Sequence, residues 1–159
     1  MTDNKKLLIV AHTPSPNTET LAQALLSGAQ DSAIENVQTQ LRSPFDCEAQ
    51  DVLDSDALIL FTTENFGYMS GALKDFFERI YYPCIEQASL NEAKPFALVI
   101  RAGLDGTGTD IAVHKITTGL KWREIQPVTL CKGDYDKDFE AQCRELGMTV
   151  AASLDAGLI

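Results

Sequence analysis

The chain has 159 residues, 45% of them hydrophobic, with a net charge of −10 and a sequence pI near 4.5. That length suits one domain burying roughly 70% of its unfolded surface, and the acidity leaves no basic face for DNA or RNA. No stretch approaches a membrane span or a signal h-region, so neither nucleic acid nor membrane is an expected partner and the cytoplasm is the expected compartment.

Strand and helix patterns alternate along the chain without a repeat or linker, which implies one βα array. Lys5 to Ala11, Asp56 to Phe61 and Pro95 to Ile100 are short, almost continuous apolar runs, the pattern of strands covered on both faces. Asn36 to Arg42 alternates instead, with Val37, Thr39 and Leu41 on one side, and reads as half buried. Ile125 to Lys132 contains Pro127, which cannot donate to a ladder and belongs at an edge. Central first, third and fourth strands with the second and fifth at the edges predict an α/β doubly wound parallel sheet of order 2-1-3-4-5, with helices on both faces.

Apolar residues repeat at helical spacing in Leu21, Ala22, Leu25, Leu26 and Ala29, and again in Met69, Ala72, Leu73, Phe76, Phe77 and Ile80, the latter closed by Pro83. Ile111 to Leu120 and Phe139 to Leu154 supply further helices, and Cys47 to Ser55 a short one. Cys47, Cys84, Cys131 and Cys143 form no CxxC pair, so the sequence predicts free thiols and no metal site. His114 falls within a helix pattern, where a surface role is the simpler reading. His12 ends the first strand beside a loop rich in polar side chains.

In such a sheet ligands bind outside the carboxyl ends of the strands. The loop after the first strand, His12 to Thr20, sets hydroxyls and an amide between a buried strand and a helix start. Free backbone N–H groups and the helix dipole converge there, with Ser15 as N-cap and Pro16 as first helical residue. Plain helix capping accounts for the same residues equally well. There is neither a GxGxxG nor a GxxxxGK[ST] motif. After the third strand, Thr62 to Gly71 holds Phe66, Tyr68 and Met69 beside Gly67, either a stacking wall for a planar ligand or a plug for the core. After the fourth, Arg101 to Thr109 is rich in glycine, which lets backbone donors approach a ring.

Together these loops resemble the flavodoxin-like superfamily, in particular its NAD(P)H-dependent FMN reductase and tryptophan-repressor-binding-protein-like quinone reductase branches. Thr13, Ser15, Asn17 and Thr18 stand at that family's phosphate-binding positions, and Glu64 to Lys74 is similar to its second FMN loop. The resemblance implies a single flavodoxin-like domain over residues 1–159 that binds FMN through Thr13, Ser15, Asn17, Thr18, Glu64, Asn65, Phe66, Gly67, Tyr68, Met69, Arg101, Gly103 and Gly106. It further implies NADPH or NADH as co-substrate and a quinone, free flavin or other small-molecule electron acceptor. The flavin carries the chemistry, so no protein side chain is expected to be catalytic. Reductase relatives generally build the site at a dimer edge, so the resemblance is compatible with a homodimer or a higher homo-oligomer and leaves the oligomeric state open. A flavodoxin-type electron carrier, or a flavin-binding interaction protein without activity, is the alternative.

Overall fold

The computed structural model describes residues 3–159. Strands β1 (Lys5–Ala11), β3 (Ala57–Asn65) and β5 (Pro95–Ala102) lie side by side and parallel, with Ala11 beside Phe61, Phe61 beside Val99 and Thr63 beside Arg101. β2 (Val37–Arg42) forms one edge, its alternating side chains half buried as the sequence pattern requires. The other edge is split into β6 (Arg123–Glu124) and β7 (Thr129–Lys132), both parallel to β5. With β5 as the fourth main strand and β6 and β7 as two pieces of the fifth, the order is the expected 2-1-3-4-5.

The predicted continuous fifth strand, Ile125 to Lys132, is corrected by that split. Three steps along β5 from Phe96 to Val99 match five along the edge from Glu124 to Thr129, because Pro127 has no N–H to give the ladder and the chain bulges around it.

Helices α1 (Pro16–Ala29) and α6 (Asp138–Asp155) cover one face of the sheet. Their backbones touch: a Cβ on Gly28 would lie 1.9 Å from the Arg144 carbonyl oxygen, and one on Gly147 would lie 2.1 Å from that of Leu25. The short α2 (Ala49–Leu53), α3 (Gly71–Ile85) and α5 (Thr107–Gly119) cover the other face, and α4 (Ala88–Asn91) leads into β5. Leu7, Ile9 and Phe61 pack toward α1 and α6, whereas Leu8, Leu60 and Ile100 pack toward α3 and α5. Each fully buried side chain of this kind contributes about 1.5–3 kcal/mol, which is why the continuous apolar runs become the central strands.

Several boundaries differ from the sequence reading. The third strand runs four residues past Phe61, because Glu64 and Asn65 find an antiparallel partner in β4 (Tyr68–Met69). Met69 therefore belongs to β4, and Ser70 caps α3 by accepting from the Leu73 N–H at 3.1 Å. Pro83 does not close α3, which continues to Ile85; in the last turn the missing N–H costs a single bond. The short helix expected within Cys47 to Ser55 is α2, and a 3₁₀ turn over Pro44–Asp46 precedes it. The helix expected from Ile111 begins earlier, at Thr107, because Gly106 adopts a left-handed conformation and starts it. No described helix is long and apolar enough to cross a membrane.

Candidate functional site

α1 leaves β1 toward one face and α3 leaves β3 toward the other, so the carboxyl ends of these neighbouring strands are the switch point of the sheet, the place where doubly wound folds bind ligands. The loops after β1 and β5 stand one strand apart on either side of β3, roughly 10 Å. The fold thus brings all three sequence-selected loops to one rim.

In the first loop Ser15 and Thr18 form a reciprocal capping box. Ser15 Oγ accepts from the Thr18 N–H at 3.2 Å, and Thr18 Oγ1 accepts from the Ser15 N–H at 3.0 Å. Thr18 Oγ1 also donates to the Ser15 carbonyl at 2.9 Å, so its proton is taken, and Thr18 is only 4% exposed. The N–H groups of Thr13 and Asn17 find no partner among the described residues, nor do their side chains. These donors sit at the positive end of a 14-residue helix, where an anion is favoured. Burial lowers the pKa of His12, which disfavours a charged imidazole beside these donors.

The second loop is a hairpin. Glu64 pairs with Met69 and Asn65 with Tyr68, and the turn residues Phe66 and Gly67 have φ of 55° and 71°. Positive φ at both central positions is the type I′ arrangement that matches strand twist. Glycine adopts it freely; phenylalanine does so under strain. Phe66 is nonetheless fully exposed, at 107% of its reference area. Tyr68 is 42% exposed, whereas Met69 is buried among Leu73, Phe76 and Phe77 in the core. Asn65 Oδ1 accepts from the Thr63 hydroxyl at 3.0 Å, and Thr62 and Ser70 link the two hairpin arms at 3.2 Å.

The third loop is fastened to this hairpin. The carboxylate of Glu64 accepts from the Leu104 N–H at 2.9 Å and from the Gly106 N–H at 2.7 Å. A Cβ on Gly108 would lie 2.0 Å from the Gly67 carbonyl oxygen, so only glycine permits this approach of α5 to the hairpin tip. The N–H groups of Gly103 and Asp105 have no partner among the described residues. A Cβ built on Gly67, Gly71 or Gly103 meets nothing within 4 Å, so open space borders all of them.

Arg101 is engaged at the end of the sheet. Its guanidinium donates to the carbonyls of Ala102 and Cys131 at 3.0 and 3.1 Å and lies 5.2 Å from the centre of the Phe139 ring. Sequence reasoning selected it by position in the chain; the alternation of β5 turns it toward α6. The residues sequence reasoning missed are Leu104, Asp105 and Gly108, together with the Thr62–Ser70 link. Gly108 carried a signal, a glycine in the first turn of a helix, but its meaning depends on Gly67 from another loop.

Other polar groups are otherwise occupied. His114 bonds Asp110 Oδ1 at 2.7 Å and Glu124 Oε2 at 2.5 Å. Burial pulls its pKa down, but the Glu124 hydrogen bond, the Asp110 carbonyl and both carboxylate charges outweigh this and raise it. All four cysteines are free and buried, and burial pushes the Cys47 thiol up to about 12 and that of Cys84 up to about 11. Among the described residues no cluster of His, Cys, Asp or Glu is arranged to hold a metal.

No family model matches the sequence, nor does any curated protein. Solved structures do match. A flavodoxin from the domain Archaea superposes with a TM-score of 0.76 at 19% identity, over 94% of this chain and 98% of that one. A flavodoxin, WrbA-like protein from Agrobacterium tumefaciens gives 0.72 at 15%, over 98% and 99%. The flavodiiron protein from Giardia intestinalis gives 0.76 at 20%, over 97% of this chain but only 37% of that longer one. With the strand order, these likenesses establish that the chain has the flavodoxin-like fold.

Proposed function

We propose that the chain binds FMN non-covalently across the three loops and acts as an NAD(P)H-dependent oxidoreductase that reduces a quinone, free flavin or similar small acceptor. The observation that carries this reading is the contrast between the two ends of the rim formed by the three loops. At the α1 end are unpaired N–H groups of Thr13 and Asn17; at the other are an uncovered aromatic hairpin and the open N–H groups of Gly103 and Asp105. A phosphate fits the first, and a planar ring with carbonyls along one edge fits the second.

When bound, FMN supplies the redox chemistry, taking a hydride from a reduced nicotinamide and passing electrons to the acceptor. The chain's own residues bind and orient. Thr13, Asn17 and the α1 dipole hold the phosphate, with no Lys or Arg in the first loop to share its charge. Since the Thr18 hydroxyl already donates to the Ser15 carbonyl, the Ser15 hydroxyl donates to Thr18 Oγ1 at 3.0 Å, and it reaches the same anion by rotating that proton off Thr18. Phe66 and Tyr68 flank the ring, and the absence of tryptophan from all three loops leaves space on one ring face for a nicotinamide.

A second reading, an electron carrier without NAD(P)H activity, is favoured by the net charge of −10 and by the flavodoxins among the similar structures. Anaerobic stopped flow on FMN-loaded protein separates the two. Bleaching of the flavin by NADPH or NADH, reversed by a benzoquinone over many turnovers, supports the enzyme. Bleaching by dithionite but by neither nucleotide supports the carrier. Failure to retain FMN through gel filtration refutes both.

A further inference from the structure

We infer that Glu64 is a positioning residue: its carboxylate clamps the third loop to the hairpin and sets that loop's shape before any ligand arrives. The inference rests on the flavin-binding reading for its consequence, though not for its geometry. One side chain satisfies the N–H groups of Leu104 and Gly106, forty and more residues away in sequence, at 2.9 and 2.7 Å. Hydrogen bonds from N–H groups to an ionised carboxylate are about twice as strong as neutral ones. A second, independent contact ties the same segments, the close approach of Gly108 to the Gly67 carbonyl. Hairpin and third loop therefore move as one body.

The clamp also sorts the donors of the third loop. Leu104 and Gly106 are committed to Glu64, and the intervening Asp105 and the preceding Gly103 are left with free N–H groups. The Asp105 carboxylate is turned back onto the Thr107 N–H at 3.1 Å, so it does not cover its own N–H. The loop is thus left with alternate N–H groups unpaired among the described residues, Gly103 and Asp105, as the donors for the carbonyl-bearing edge of a planar ring. Glu64 fixes which donors those are without touching the ring itself. This differs from a carboxylate that binds ligand directly, and from one that merely occupies the loop until a ligand displaces it.

The test compares wild type, Glu64→Gln and Glu64→Ala by amide NMR without FMN and by titration with FMN and with riboflavin. The clamp predicts that the Leu104 and Gly106 amides of the wild type are slow to exchange and shifted downfield. Both should stay so when FMN is added. In Glu64→Ala both amides exchange fast, and FMN and riboflavin weaken by the same factor, about tenfold. Glu64→Gln, which keeps one acceptor oxygen, falls between. Fast exchange of these amides in the wild type overturns the clamp, as does tighter flavin binding by Glu64→Ala, which would mark the carboxylate as a competitor. Weakening of FMN alone also overturns it, because the phosphate is held elsewhere. If the wild type binds neither flavin while the amides stay protected, the flavin reading fails and the clamp itself is upheld.

Discussion

Replacing Phe66 by asparagine should make the ligand-free protein more stable and the FMN complex weaker. Phe66 sits at φ 55° in the hairpin turn, and its ring, at 107% relative exposure, gives up no burial when removed. A left-handed backbone costs an ordinary side chain about 1–2 kcal/mol, most of which asparagine avoids, and Asn-Gly is the favoured pair for a type I′ turn. A net gain of about 1 kcal/mol is expected, corresponding to a rise in Tm of about 2–4 °C for a domain of this size. Thermal melts followed by circular dichroism without FMN measure it. Phe66→Gly relieves the same strain but loosens the unfolded chain, so its gain should be smaller. Loss of an aromatic contact worth about 0.5–1.5 kcal/mol should then weaken FMN by about two- to tenfold in a fluorescence titration. A Phe66→Asn protein that melts lower without FMN refutes the strain argument. Unchanged FMN affinity shows that the exposed ring faces something other than the flavin.

Asn17→Ala should weaken FMN by about tenfold and leave riboflavin unchanged, because the side chain and helix end serve only the phosphate; equal effects on both ligands count against the first loop. Ser15→Ala should show the same split and also lower stability by about 1 kcal/mol through the lost cap, measured by urea titration. Gly108→Ala forces a Cβ to within 2.0 Å of the Gly67 carbonyl oxygen, so it should destabilise by about 1–3 kcal/mol and speed exchange of the hairpin amides, with a neutral outcome disproving the contact. The folded-state pKa of His114 is raised, so its ion pairs with Asp110 and Glu124 stabilise fully below the ordinary histidine pKa of about 6.5 and fade as pH rises through the folded value. His114→Gln should therefore cost up to about 1 kcal/mol near pH 5.5 and less at pH 9, and a cost that grows with pH contradicts the pairing.

The residue pattern alone showed the layered sheet, and its edge signals matched the strand order without uniquely requiring it. Apolar runs such as Leu7 to Ala11 can be buried only between two helical layers, and Pro127 can be tolerated only at an edge. It also placed the three loops at one rim, because parallel strands joined by helices put every strand-to-helix loop at the same end of the sheet. What it could not decide is what each polar side chain does once there. Ser15 and Thr18 satisfy one another, Arg101 turns onto carbonyls and the Phe139 ring, and Met69 fills the core, since each outcome depends on which face of a strand or helix meets which neighbour. The hairpin at Phe66–Gly67 was hidden because phenylalanine is a poor residue for positive φ, and local preference points away from the turn that pairing between β3 and β4 imposes. The Glu64 clamp was hidden for a different reason. Its partners are main-chain N–H groups from another loop, and backbone donors leave no mark in a sequence until the fold brings the two loops together.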